Sequence, residues 1–112
     1  MTLNEYQELA QRTSNRALDI KGHLFNGVLG LTGEAGECAD LLKKHYYQDG
    51  RNFVADLEDE LGDCLWYVVE TATALGMTLE EVAQHNVDKL KRRYPEGFSA
   101  DRSLHREVNG DA

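Results

Sequence analysis

Two pairs of acidic residues, each separated by three positions, are the part of this sequence best suited to chemistry. Glu34 and Glu37 form the first pair, and Glu60 and Asp63 form the second. On a helix, residues three positions apart lie on one face, so each pair presents its two carboxylates together. Carboxylates about 6 Å apart repel each other by about 3 kcal/mol at an effective dielectric constant near 20. If the two pairs converge, we expect a divalent cation to balance their charge.

An acidic pair on a helix is usually part of a solvated face, but two features argue against that here. Gly27, Gly30 and Leu41 share the face of the first pair, and Tyr67 shares the face of the second. In addition, five of the eight residues Asp56–Asp63 are acidic. We therefore expect the acids to border an apolar surface.

The residue types near the acids favour a hard cation. No histidine or cysteine falls at coordinating spacing beside them, which argues against zinc, and the Glu-x-x-His motif of di-iron bundles is absent. Oxygen ligands favour Mg²⁺ or Mn²⁺. Because magnesium normally binds through a few carboxylates together with substrate phosphates, such a site predicts a phosphorylated substrate.

Residues suited to holding phosphates occur on a predicted helix nearer the C-terminus. Asn86, Lys89 and Arg93 fall on one stripe of that helix. The alternative is a basic last turn that complements the helix dipole. Asn86 and Lys89 fit this alternative less well, because they follow the apolar side of the helix. Lys44, on the Glu37 side of its own helix, is a further candidate for substrate binding.

Capping boxes and apolar residues at helical spacing predict four helices and therefore an all-α fold. The predicted helices run from Thr2 to about Leu18, from about His23 to His45, from about Phe53 to Leu75, and from Thr78 to about Arg93. The pattern predicts a turn at Gln48-Asp49-Gly50, a helix end at Gly76, and another at Tyr94-Pro95-Glu96-Gly97. No stretch alternates with period two for long enough to predict a strand.

The glycines, cysteines and histidines of the sequence each lead to a separate prediction. Gly27, Gly30, Gly33 and Gly36 recur every three residues and predict the close approach of another helix or of a ligand. Cys38 and Cys64 are expected to be buried, reduced thiols. The four histidines show no motif, and we expect them on the surface.

The third predicted helix carries an apolar arc wider than one partner in a small bundle requires. Leu57, Leu61, Cys64, Leu65 and Val68 fill one side of it, and Gly62, Trp66 and Val69 extend the arc past half the circumference. This arc predicts a homo-oligomer, for which symmetric dimers are the commonest form.

Length and composition limit the remaining possibilities. A chain of 112 residues allows one domain, which we place at residues 1–98, with a flexible tail over 99–112. The net charge of −8 disfavours binding to nucleic-acid polymers. No run is long and apolar enough to predict a membrane span. The N-terminal segment MTLNEYQELA lacks the apolar region of a signal peptide, so a cytoplasmic location is expected.

Taken together, the motifs resemble those of a known family. The segments Gly33-Glu34-Ala-Gly-Glu37, Glu58-Asp-Glu60-Leu-Gly-Asp63-Cys-Leu-Trp66-Tyr67 and Asn86-Val-Asp-Lys89-Leu-Lys-Arg-Arg93-Tyr-Pro95-Glu-Gly97-Phe98 are similar to motifs of the MazG-like nucleoside triphosphate pyrophosphohydrolases. These enzymes belong to the all-α NTP pyrophosphatase superfamily, and the resemblance covers roughly residues 20–98.

The resemblance implies a four-helix MazG-like bundle completed by homo-oligomerisation, as a dimer or tetramer in which helices of both chains build the site. It implies that Glu34, Glu37, Glu60 and Asp63 bind Mg²⁺ and position the attacking water, and that Asn86, Lys89 and Arg93 contact the phosphates or sugar. The implied reaction converts a (deoxy)nucleoside triphosphate into its monophosphate and pyrophosphate, often as housecleaning of the nucleotide pool.

Two alternatives to this function stay open at the level of the sequence. The first is a non-catalytic helical module whose acidic faces bind a metal ion or a partner protein. The second is a related pyrophosphohydrolase of the same superfamily that acts on a different nucleotide. A panel of nucleotides with pyrophosphate detection distinguishes them.

Overall fold

The computed structural model describes residues 1–47 and 53–105, and these form five α-helices. The helices are α1 (Leu3–Gln11), α2 (Ile20–Tyr47), α3 (Val54–Ala74), α4 (Leu79–Arg93) and α5 (Ala100–Leu104). Over the same residues there is no strand, and the only β-type pairing is an isolated bridge between Pro95 and Gly97. The predicted all-α fold is confirmed. None of the described helices combines the length and apolarity needed to cross a membrane.

The chain divides into two compact units, Met1–Leu79 and Glu80–Ala112. The first unit contains α1, α2 and α3, and the second contains α5 and all of α4 after its first residue. The single domain over residues 1–98 and the flexibility of the tail stay predictions.

The first helix begins where the sequence predicts, but it ends earlier than predicted. The Thr2 hydroxyl accepts a hydrogen bond of 3.0 Å from the Glu5 backbone N–H, which caps α1. The prediction that this helix continues to about Leu18 is wrong, because α1 ends at Gln11. Beyond it, the Thr13 hydroxyl donates to the Ala10 carbonyl, and the Asn15 side chain accepts from the Ala17 N–H. Such side-chain bonds to the local backbone compete with helix formation.

The long helices α2 and α3 run antiparallel and pack closely along one another. Gly27 lies opposite Thr71 and Gly30 lies opposite Tyr67, so the residue numbers run in opposite directions. A Cβ atom at Gly27 would overlap the Thr71 hydroxyl and lie 3.1 Å from its backbone nitrogen, and one at Gly30 would overlap the Tyr67 ring. The predicted close approach is therefore confirmed at these two glycines. Among the described residues, a Cβ atom at Gly33 or Gly36 would meet nothing within 4 Å beyond its chain neighbours and the backbone of its own helix.

The end of α3 is tied to α1 through one glutamine. Gly76 adopts a φ of 74°, which the absence of a side chain permits, and it ends α3 as predicted. The Gln7 amide donates to the Met77 carbonyl at 3.0 Å and to the Thr73 hydroxyl at 2.9 Å, and its oxygen accepts from the Leu79 N–H at 2.7 Å. These bonds hold the segment that follows α3 against α1.

A small apolar core forms where α1 meets α3. Its buried members are Ala10, Val69 and Leu79, with Tyr6, Trp66 and Val68 packed against them. The contact between α1 and α3 is therefore built on these apolar side chains.

In the second unit, α4 ends at Arg93 and is followed by a turn and a short helix. Gly97 adopts a φ of 91°, and the Ser99 hydroxyl then accepts from the Arg102 N–H to begin α5. The Arg102 guanidinium donates to the carbonyls of Arg92 and Arg93, which satisfies two acceptors at the end of α4. Residues 100–104 of the predicted flexible tail therefore form a short helix, and the flexibility of the tail stays a prediction. The predicted turn at 48–50 and residues 106–112 lie outside the described residues.

Candidate functional site

Three of the four predicted metal ligands converge in the first unit. Glu34 lies on α2, and Glu60 and Asp63 lie one turn apart on α3, where the antiparallel pairing brings the two helices face to face. One carboxylate oxygen from each of the three residues lies within 4.8 Å of the other two. Glu34 and Glu60 are half-buried and Asp63 is exposed, so the cluster opens to solvent on one side.

The electrostatics of this cluster favour a bound cation. A hydrogen bond with Glu34, followed by burial and the charges of Glu34, Asp59 and Asp56, raises the pKa of Glu60 above its usual range. One oxygen of the Glu60 carboxylate is buried and has no hydrogen-bond donor among the described residues. Crowded carboxylates require a shared proton or a cation, and a donor set of oxygens suits a hard divalent metal ion. The residues present therefore fit such an ion.

Glu37, the fourth predicted ligand, lies outside this three-residue cluster. It is exposed and stands one turn beyond Glu34 on α2. The antiparallel pairing places this part of α2 beside the turn of α3 that carries Glu60, so Glu37 is near the level of the cluster along the helix. Its role as a ligand stays a prediction.

Lys44 is exposed on α2 and pairs with an acid of its own helix. Its ammonium group lies 2.8 Å from the Asp40 carboxylate, one turn earlier. This hydrogen bond and the charge of Lys44 lower the pKa of Asp40. Pairs of this kind stabilise helices by a few tenths of a kcal/mol. The substrate-binding role of Lys44 stays a prediction.

The predicted phosphate-binding residues lie on α4, in the second unit. Because α4 is continuous from Leu79 to Arg93, Asn86, Lys89 and Arg93 share one side of it as the spacing predicts. Asn86 is exposed, and Lys89 and Arg93 are half-buried. Their contact with a nucleotide stays a prediction.

A cavity of about 390 Å³ lies directly beside the acid cluster. Thr13, Glu34, Asp63, Trp66 and Tyr67 line it. The Trp66 indole N–H donates to the Thr13 hydroxyl at 2.9 Å and to the Ala10 carbonyl at 3.0 Å, and its ring meets that of Tyr67 edge to face at 5.1 Å. Carboxylates and fixed aromatic rings therefore share one cavity, an arrangement that suits a ligand with a charged end and a ring.

A side chain of the N-terminal helix α1 also lies close enough to the acid cluster to respond to its charge. Burial, and then the negative charge of Asp63, raise the pKa of the Tyr6 phenol. Sequence reasoning assigned no role to α1 at the site. Thr13 and Trp66 were likewise missed as lining residues, since their contact depends on the turn that ends α1.

A second polar cluster, centred on Glu70, was also missed. Glu70 is 1% exposed, and its carboxylate accepts from the Ser14 hydroxyl at 2.7 Å and from the Asn26 amide at 3.1 Å. The His23 Nδ1 atom lies 3.3 Å from the same carboxylate, and the His23 side chain is 20% exposed. This histidine is therefore half-buried against Glu70, where the sequence predicts a surface position. Helical spacing places Glu70 three residues after Tyr67 and so on the face of α3 that meets α2, but it does not identify the residues that contact its carboxylate.

The two cysteines lie near the acid cluster as free thiols. Both are half-buried, where the sequence predicts buried thiols, and their reduced state stays a prediction. Burial, and then the neighbouring Cys38 thiol, raise the pKa of Cys64, to which the charges of Glu34 and Glu60 also contribute. Such a shift favours the protonated, unreactive thiol.

Comparison with known proteins gives an independent result. Residues 26–98 match the MazG nucleotide pyrophosphohydrolase domain family. The chain is also similar to the Gene 37 protein of Mycobacterium phage L5, at 41% identity over 77 residues. That alignment covers 62% of this chain and 65% of the phage protein, so the chain spans somewhat less than two thirds of that relative. No solved structure gives a significant match. The family match includes both acidic pairs and all of α4.

Proposed function

Because this chain belongs to the MazG nucleotide pyrophosphohydrolase family, we propose that it hydrolyses (deoxy)nucleoside triphosphates to the monophosphate and pyrophosphate. The observation that carries the proposal is the convergence of Glu34, Glu60 and Asp63 within 4.8 Å, beside a cavity lined by aromatic rings. The expected role is housecleaning of the nucleotide pool, in the cytoplasm.

The proposed cofactor is Mg²⁺, with Mn²⁺ as a substitute. Glu34, Glu60 and Asp63 would hold it, with Glu37 as the fourth carboxylate. When bound, such an ion neutralises charge on the phosphate oxygens and lowers the pKa of a coordinated water. The crowding of carboxylates supports this choice, since Glu60 has a buried oxygen that no donor in the described part of the chain satisfies.

The residues of the chain then have separate tasks. We assign the role of general base to a carboxylate of the acid cluster, which accepts the proton of the attacking water. A general base must lie within hydrogen-bonding reach of that proton. Trp66 and Tyr67 offer rigid ring surfaces beside the acids, and the bonds from the Trp66 indole to α1 hold that ring in place. Asn86, Lys89 and Arg93, with Lys44, are proposed to contact the phosphates and sugar, where cations stabilise developing negative charge.

We expect attack at the α-phosphorus rather than the γ-phosphorus. Asn86, Lys89 and Arg93 extend over about 10 Å of helix, which suits contacts along a sugar and phosphate chain better than a clamp on one terminal phosphate. Hydrolysis in ¹⁸O-labelled water should therefore place the label in the monophosphate and leave pyrophosphate unlabelled. Mass spectrometry of the products measures this. Diphosphate and orthophosphate as first products would contradict the proposed chemistry, and Mg²⁺ binding without turnover would indicate a non-catalytic module.

We further propose that the protein works as a homo-oligomer, a dimer or tetramer. Within the described residues, full burial of apolar side chains is limited to Ala10, Val69, Ala72 and Leu79. Large apolar side chains stay exposed on both long helices, among them Leu29 at 65% and Leu61 at 59%. Exposed apolar surface of this kind is typical of a surface that binds a partner. Trp66, which extends the predicted arc, contacts α1 instead, so the exposed side chains Leu61 and Leu65 are the better candidates for contact with a second copy of the chain.

Light scattering at micromolar concentration should thus give a mass at least twice that of one chain. Leu61→Glu is expected to shift the protein towards smaller species, because it places a charge in the buried contact. Glu8→Gln, on the exposed side of α1, serves as the control and should leave the mass unchanged. A stable, active monomer of the unaltered protein would refute the proposed assembly.

A further inference from the structure

The turn that follows α1 is held against α3 at two places. The Trp66 indole N–H donates to the Thr13 hydroxyl at 2.9 Å and to the Ala10 carbonyl at 3.0 Å. The Ser14 hydroxyl donates to the Glu70 carboxylate at 2.7 Å. Because Trp66 and Glu70 are four residues apart on α3, both attachments lie on one side of that helix, one turn apart. Thr13 and Ser14 are thereby fastened to α3 through their side chains.

The attachment at Ser14 has a buried anchor. Glu70 is 1% exposed, and the Asn26 amide of α2 donates to its carboxylate at 3.1 Å. A buried carboxylate is stable only when hydrogen-bond donors surround it, so the groups that donate to Glu70 are held at defined positions. Through Glu70 the turn is therefore tied to both long helices. No step of the proposed hydrolysis uses Glu70 or Ser14.

The same turn forms part of the cavity beside the acid cluster. Thr13 lines that cavity together with Trp66 and Tyr67. The Thr13 hydroxyl donates its one hydrogen to the Ala10 carbonyl and accepts from Trp66, so its bonds hold the neighbouring ring. Thr13 and Ser14 precede residues 26–98, over which the chain matches the family, so membership of the family assigns them no role.

We propose that Thr13 and Ser14 are positioning residues for substrate binding, which hold the Trp66 ring in the orientation that stacks on the nucleobase. The inference rests on the proposed function and extends the substrate site to the turn after α1. With the phosphates at the acid cluster, the rest of the nucleotide lies in a cavity that Trp66 lines. Aromatic side chains bind bases by stacking. A ring that is already ordered loses less conformational entropy on binding, so a loosened ring binds the base more weakly.

Two variants loosen the turn at its two attachments. Ser14→Ala removes the bond to Glu70, and Thr13→Val removes the bond from Trp66 but keeps the branched shape of the side chain. Each should raise KM for the hydrolysed triphosphates about 3- to 10-fold, as expected for the loss of one hydrogen bond, and leave kcat within about twofold. The factor is modest because the Trp66 indole keeps its bond to the Ala10 carbonyl in Thr13→Val.

Two further variants serve as controls for the loss of the hydroxyl. Thr13→Ser keeps the hydroxyl group and should keep KM near the value of the unaltered protein. Thr32→Val removes an exposed hydroxyl that bonds to the Val28 carbonyl of its own helix, and it should change neither KM nor kcat. Thermal unfolding checks that every variant is folded.

Fluorescence measures the position of the ring independently of turnover. Trp66 is the only tryptophan in the sequence, so the emission of the protein reports on this wall of the cavity. In the protein without nucleotide, Thr13→Val and Ser14→Ala should lower the anisotropy of this emission, because the ring moves more freely. The four deoxynucleoside monophosphates, added with Mg²⁺, should quench the emission of the unaltered protein, and higher concentrations should be needed in the two variants.

The outcomes separate this inference from the proposed function. KM values that neither Thr13→Val nor Ser14→Ala alters would overturn the inference, as would a fall in kcat at unchanged KM. If the unaltered protein hydrolyses no triphosphate, the proposed function fails, and the monophosphate titration then decides the inference. An emission that none of the four monophosphates changes would contradict it, and quenching that weakens in both variants would support it.

Discussion

Asp63→Asn is expected to lower kcat/KM for every hydrolysed triphosphate at least ~100-fold, because it removes one of three converging carboxylates. Asparagine keeps the shape of the side chain and one oxygen but loses the negative charge that attracts a divalent ion. Asp63 is exposed, so the free energy of unfolding should change by less than about 0.5 kcal/mol. Loss of activity in Asp63→Asn without loss of stability would identify Asp63 as a metal ligand.

The measurement is initial rate against Mg²⁺ concentration, with pyrophosphate release as the readout. A chelator should abolish activity, and Mn²⁺ or Mg²⁺ should restore it. Glu8→Gln, at an exposed position of α1 that belongs neither to the acid cluster nor to the lining of its cavity, is the matched control, with an expected rate near that of the unaltered protein. Full activity in the presence of a chelator would contradict the assignment of all four acids as ligands of a metal ion.

Glu37→Gln tests whether the fourth predicted ligand binds metal together with the three acids that converge in the structure. The spacing of the two acidic pairs predicts that Glu37 binds metal as Glu34 does, and the expected loss is again at least ~100-fold. In the structure, only Glu34 of this pair lies within the cluster. A much smaller loss in Glu37→Gln than in Asp63→Asn would restrict the ligands to the three converging residues.

The acid cluster could be predicted from the sequence because helical periodicity determines it. Glu60 and Asp63 share a face of α3 whatever surrounds them, and glycines at 27 and 30 indicated which face of α2 would approach it closely. The helix ends at Gly76 and Arg93 followed from local capping rules in the same way. These features depend on residues within a few positions of one another.

The end of α1 and the Glu70 cluster could not be predicted in this way. The turn after Gln11 depends on small side-chain bonds from Thr13 and Asn15, which compete closely with continued helix. The contacts of Glu70 join residues 44 and 56 positions apart. Periodicity placed Glu70 on a face but did not identify its partners, so a buried carboxylate was indistinguishable from a solvated one.

Glu70→Ala is expected to lower the free energy of unfolding by about 3 kcal/mol. The substitution removes the acceptor for the Ser14 hydroxyl and the Asn26 amide, and it leaves His23 facing an empty space. Each buried group without a partner is unfavourable by about 1–3 kcal/mol, and removing one member of a buried polar pair is strongly destabilising. Denaturant unfolding at one fixed protein concentration measures the change, since assembly adds a concentration-dependent contribution.

A double-mutant cycle with Ser14→Ala shows whether the cluster acts as a unit. Ser14→Ala alone should lower the free energy of unfolding by about 1 kcal/mol, since it removes one hydrogen bond of 2.7 Å. In the Glu70→Ala background its effect should shrink towards zero, because the partner of the hydroxyl is already absent. Glu8→Ala makes the same change at an exposed helical position and should alter stability by less than about 0.5 kcal/mol. Equal effects of Glu70→Ala and Glu8→Ala would show that the buried cluster contributes nothing to the fold.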